Sequence, residues 1–86
     1  MSLTGLPLTL ASTGDIVEVT AIGGERVLKK RLGDLGVIAG QVLDVVRKDV
    51  DGQMVVALGD ARFALGREMA RQIFVAPVSS RHEGRK

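Results

Sequence analysis

A small, mainly β barrel of about five strands is the fold that this 86-residue sequence predicts, with one short α-helix between the first long strands and a helical turn before the last strand. Three observations predict it. Apolar, β-branched residues recur in short runs separated by turns that carry glycine and aspartate. The hydrophobic period changes from two to about 3.6 only once, between Glu25 and Leu35. The length allows a single domain of marginal stability, so nearly every apolar residue has to serve one core.

The elements follow in order. Leu6-Pro7-Leu8-Thr9-Leu10 alternates apolar and polar residues and reads as an edge segment with Pro7 near its start. Ser12-Thr13-Gly14-Asp15 is turn chemistry. Ile16 to Ile22 is a strand rich in β-branched residues, with Val17, Val19 and Ala21 on one face. Gly23-Gly24 breaks it. Glu25 to Leu35 is the helix: Leu28, Leu32 and Leu35 form one stripe at i, i+4 and i+7, with Val27 beside it. Gly36 is placed to end the helix in a left-handed conformation.

Val37 to Gly40 then connects to a strand from Gln41 to Lys48. Asp49-Val50-Asp51-Gly52 is a hairpin loop with Gly52 at positive φ, leading into a strand from Gln53 to Leu58. Gly59-Asp60 turns the chain into Ala61 to Leu65. Arg67 to Gln72 forms a helical turn with Met69 and Ala70 facing inward. Ile73-Phe74-Val75 is the closing strand, ended by Pro77. Closure of the barrel, complete or nearly so, is expected because it removes exposed strand edges. Residues 1–76 are read as the domain and 77–86 as a polar tail.

Composition excludes several classes of function. The chain contains no cysteine, so disulfides, thiolate metal sites, iron–sulfur clusters and cysteine nucleophiles are all absent. That fits a reducing cytosol. No apolar run approaches the roughly 20 residues that cross a bilayer, and Met1 to Ala11 lacks the basic start of a secretory signal. Phe63 and Phe74 are the only aromatic residues. Setting aside Arg81, Arg85, Lys86 and Glu83 of the tail, the 12 basic and 10 acidic residues fall to nine of each, so the body is neutral. A nucleic-acid reader would show a basic face backed by stacking aromatics, and neither is conspicuous.

Catalytic chemistry is not encoded in a recognisable form. His82, the only histidine, lies in the tail, whereas a general base must be held within hydrogen-bond reach of its proton. The serines have no basic partner in a nucleophile motif. Asp49-x-Asp51-Gly52 is similar to the start of a calcium loop but lacks the third ligand and the distal glutamate, so a solvated hairpin is the better reading. Gly23-Gly24 precedes a helix without a Walker lysine or a G-x-G-x-x-G pattern, and reads as a turn. Neither an enzyme activity, a cofactor nor a metal ligand set is expected. The basic run Lys29-Lys30-Arg31 is the most distinctive surface feature. It is either a solvated helix face, its cations favoured by the helix dipole, or a contact for an acidic or polar surface on another protein.

Several motifs together resemble the FeoA family, small cytoplasmic proteins of bacterial ferrous iron transport. They are Leu8-Thr9-Leu10 with Gly14-Asp15, Gly23-Gly24, Lys30-Arg31-Leu32-Gly33-Asp34-Leu35-Gly36, Val37 to Gly40, and Ala64 to Ala70 with Ile73-Phe74-Val75. One departure is Gly52-Gln53, where many relatives carry a proline. The resemblance implies an SH3-like barrel, located in the cytoplasm, that binds the FeoB-type ferrous iron permease and modulates iron uptake. It also implies a place in iron homeostasis among proteins associated with transition metal ions. Arg26, Lys29, Lys30 and Arg31 are the candidate partner-binding residues, and weak homo-oligomerisation is the other partner class. Similar barrels form the C-terminal domains of DtxR-type repressors. A stand-alone regulatory domain of that kind, or a nucleic-acid-binding small barrel, is therefore the alternative function.

Overall fold

The computed structural model describes residues 5–78. His82 and the part of the tail from residue 79 onward lie outside them. Six strands form one antiparallel sheet: β1 (Leu6–Pro7), β2 (Ile16–Ile22), β3 (Val42–Lys48), β4 (Met54–Leu58), β5 (Ala61–Leu65) and β6 (Ile73–Pro77). Helix α1 (Arg26–Asp34) joins β2 to β3, and α2 (Arg67–Arg71) joins β5 to β6. The expected mainly β, SH3-like fold is present, with the helix and the helical turn in their predicted connections.

The sheet order is β1-β6-β2-β3-β4-β5, and its two end strands do not pair. The expected closure therefore does not occur, and the sheet keeps two edges. One edge, β1, is only two residues long and contains Pro7, which has no N–H to offer another strand. The other edge, β5, is five residues long.

Around the segment that feeds β1 the alternating pattern gives way. Leu8–Leu10 is a 3-10 turn, which buries Leu8 and leaves Leu6 and Leu10 exposed. A turn of three residues presents one of three side chains inward, where a strand would have presented every second one. Lys48 Nζ donates to the Thr9 carbonyl at 2.6 Å and ties this turn to β3.

Two bulges set which side chains reach the core. In β2 the register shifts between Val19 and Ala21. Thr20 is the extra residue, and its Oγ1 donates to the Phe74 carbonyl at 3.1 Å. A bulge reverses the inward–outward alternation beyond it. Val17 and Val19 are buried as expected, but Ala21 faces out and Ile22 packs against the core in its place. A second bulge lies between Val45 and Arg47 of β3.

The core is wholly apolar among the described residues, with Leu8, Leu32, Leu43, Val45, Met54, Val56 and Ile73 at its centre. Helix α1 contributes Leu32 fully and Leu28 in part. Val27 and Leu35, expected beside or on the buried stripe, are exposed. The helix end explains Leu35. The chain stops being helical after Asp34, and Gly36 takes φ 92°. The Gly36 N–H donates to the Gly33 carbonyl at 3.0 Å and the Val37 N–H to the Leu32 carbonyl at 2.9 Å. This is a Schellman end, whose hydrophobic contact joins the residue after the glycine to the last inward helical residue. Val37, expected to be mere connection, therefore fills the core position that Leu35 was expected to fill.

Gly33 lies inside the last turn of α1, and a Cβ there would meet only Ile38 Cγ2, at 4.0 Å. Gly33→Ala is thus expected to stabilise the fold by about 1 kcal/mol through helix propensity. Thermal unfolding followed by circular dichroism should show the midpoint rising by several degrees.

Candidate functional site

The four cations predicted as a contact are exposed and all lie on α1. They do not form one narrow stripe. At about 100° per residue, Lys29 and Arg31 point about 160° apart around the helix axis. Arg26 and Lys30 lie one turn apart on the outward face. Lys29 flanks them on one side, and Val27 with Arg31 on the other. Lys30 Nζ is 3.7 Å from Asp34 Oδ2, an exposed i,i+4 pair of the kind that contributes only about 0.3–0.5 kcal/mol.

The placement of Arg26 is not what helix stability would select. Among the first-turn residues there is no acid, and Glu25 at the N-cap makes no side-chain hydrogen bond to the helix. Arg26 occupies the first helical position, where the dipole disfavours a cation. Only Arg31 sits in the last turn, where the dipole favours one. The dipole thus favours Arg31 and disfavours Arg26, while Lys29 stands four residues after Glu25, the favourable order for an i,i+4 pair.

Apolar side chains lie among the cations. Val27 is 69% exposed, Ile38 49% and Leu35 39%. Ile38 lies beside Gly33, its Cγ2 4.0 Å from where a Cβ would stand on that glycine. Lys29 and Lys30 are four and three residues before Gly33, so they border the same spot. Val27, Arg31 and Leu35 follow one another along the other flank. The result is a mixed basic and apolar surface on a rigid element, built from side chains that can make both desolvated and charged contacts. The sequence pointed to the cations. It did not point to Ile38, because the contact of Ile38 with Gly33 depends on how the chain leaves the helix.

A second feature is an open groove of about 450 Å³ between α1 and α2, lined by Gly24, Glu25, Leu28, Glu68, Met69 and Gln72. Glu68 already pairs with Arg71 at 3.3 Å. Among the described residues no histidine or nucleophile lines the groove, so its chemistry is that of a shallow acidic and apolar depression. Nothing in the sequence brings Leu28 and Met69 to one groove, since they meet there only through the tertiary fold.

The aspartates of the calcium-like loop are engaged in local structure. Asp49 Oδ1 accepts from Arg47 Nε at 3.0 Å, and Asp51 Oδ1 accepts from the Gln53 N–H at 3.0 Å. Among the described residues no group of three or more histidine, cysteine, aspartate or glutamate side chains is placed to hold a metal ion. No helix among them is long and apolar enough to cross a membrane.

Fold and surface together define a small SH3-like β module with an exposed basic and apolar helix in its first long connection. The profile of the FeoA domain matches residues 6–77, and the chain belongs to the FeoA family. A crystal structure of an iron uptake regulatory protein, FeoA, is 26% identical and superposes with a TM-score of 0.77, covering 88% of this chain and 100% of that one. The solution structure of FeoA from Chlorobium tepidum is 29% identical with a TM-score of 0.79, covering 87% and 72%. A manganese-dependent transcriptional repressor shares the fold at 22% identity and a TM-score of 0.81. The match covers 90% of this chain but only 43% of the repressor. No curated protein matched the sequence. The family consists of small proteins associated with ferrous iron transport.

Proposed function

We propose that this chain is a non-catalytic accessory protein of ferrous iron uptake that acts in the cytoplasm, binding an FeoB-type membrane permease and modulating its transport. Membership of the FeoA family supports the setting. The observation that carries the docking site is the α1 surface, where Arg26, Lys29, Lys30 and Arg31 are flanked by exposed Val27 and Leu35 on one side and Ile38 on the other. Cations in the first helical turn are costly to the helix, and a partner with an acidic surface offsets that cost. Exposed aliphatic groups beside them supply the apolar part of an interface.

The test is co-purification of the full chain with a detergent-solubilised FeoB-type permease. Stoichiometric retention that is lost at high salt supports the reading, because charge contacts at a rim are screened. Absence of retention at low salt contradicts it.

A second reading is a regulatory domain comparable to part of a metal-dependent repressor. The fold match to the manganese-dependent repressor favours it. Were the chain instead a nucleic-acid binder, affinity for a duplex would fall steeply as salt is added. The neutral body of the chain speaks against that outcome.

A further inference from the structure

The unpaired edge of β5 is the other place where this fold leaves strong interacting groups unused. The two-residue turn Gly59-Asp60 joins β4 to β5, with Leu58 opposite Ala61 and regular pairing through Met54 opposite Leu65. Gly59 has φ 61° and Asp60, like every non-glycine residue among those described, does not have a positive φ, the pattern of a type II′ turn. In such a hairpin the residues flanking the turn form a hydrogen-bonded pair and the pairs then alternate. Ala61, Phe63 and Leu65 therefore bond to β4, while the N–H and carbonyl groups of Arg62 and Ala64 point outward. Among the described residues no other hydrogen bond engages Arg62 or Ala64.

This edge lacks the usual protection. It contains no proline, lysine or bulge, and its single charge is Arg62. The opposite edge is guarded by Pro7 and by its two-residue length. We propose that β5 pairs antiparallel with β5 of a second copy of this chain, across a two-fold axis through Phe63.

The register follows from the side chains. With Phe63 opposite Phe63 of the second copy, each Arg62 faces Ala64 of the other chain, and the outward groups of these two residues form about four backbone hydrogen bonds. The two phenylalanines meet in a non-hydrogen-bonded pair, where side chains approach most closely. A register centred on Arg62 would instead set two arginines opposite each other, which is destabilising. The area covered by a five-residue edge is well below the roughly 800 Å² per partner of a standard interface. The association is accordingly weak and concentration-dependent.

The test uses the full chain, labelled with nitrogen-15, between about 20 µM and about 1 mM, a range suited to a small interface. The Arg62 and Ala64 amide signals are expected to shift and their hydrogen exchange to slow as concentration rises. Ala64→Pro removes an outward N–H without touching the hairpin, and should abolish both changes. Ala64→Glu places an acid opposite Arg62 of the second copy and should tighten association by roughly two- to thirty-fold. Should the proline variant fail to fold, Ala64→Lys keeps the backbone and must weaken association. Concentration-independent amides in β5, shifts confined to α1, or association undiminished by Ala64→Pro or Ala64→Lys would each overturn the proposal.

Discussion

Leu32→Ala is expected to remove about 2–5 kcal/mol of folding stability, the range for a fully buried leucine whose cavity does not collapse. Leu32 is completely buried and is the only α1 residue that is. It also sits at the capping position whose carbonyl receives the Val37 N–H, with Val37 packed in the same core. For a chain of 86 residues the total stability is about 4–13 kcal/mol. The substitution therefore consumes a large share of it and loosens the helix that bears the proposed contact. Urea unfolding should show a lower midpoint with little change in slope, because the surface exposed on unfolding is nearly the same. Leu35→Ala and Val27→Ala, at exposed positions, should stay within about 0.5 kcal/mol. A Leu32→Ala loss as small as theirs would mean that α1 is not anchored as described.

Reversing charge at Lys29 and Lys30 is expected to act on binding and not on folding. Both side chains are exposed, and the pair that Lys30 makes with Asp34 is long and solvated. Lys30→Glu turns it into an i,i+4 repulsion costing about 0.3–0.5 kcal/mol, and an acid at residue 29 repels Glu25 by a similar amount, partly offset by the helix dipole. Against an acidic partner surface each reversal replaces attraction with repulsion. Together they should weaken permease binding at least about tenfold, which corresponds to about 1.4 kcal/mol. Most of the change should be in the association rate and should shrink at high salt, as it does for rim charges. Unchanged affinity with intact folding would remove this surface from consideration.

Hairpin loops were legible because their chemistry is local: Gly52 takes its positive φ, and Ala61–Leu65 has the predicted bounds. The family resemblance was legible because its motifs keep their order over most of the chain. Ala21 was misplaced because one inserted residue, Thr20, reverses the facing of everything after it, and a bulge leaves no mark on a pattern of β-branched residues. Leu35 was misplaced because a Schellman end depends on where the helix stops, and Val37 supplied the buried contact. The open edge of β5 was hidden for a different reason. Whether the ends of a sheet meet depends on strand coiling summed over the whole chain, not on any single segment. Of the candidate surface, the cations could be read directly, while exposed Ile38 required the three-dimensional exit of α1.

Docking through α1 onto an FeoB-type permease is the proposed function, and titration of the purified chain into the solubilised permease measures it most directly. Three proteins suffice: the unaltered chain, the Lys29→Glu/Lys30→Glu variant, and an Arg47→Glu variant whose reversed charge lies on β3 and not on α1. Saturable binding by the first and third, and binding at least about tenfold weaker by the second, is the predicted result. Equal affinity for all three, or no binding by the unaltered chain, would contradict it.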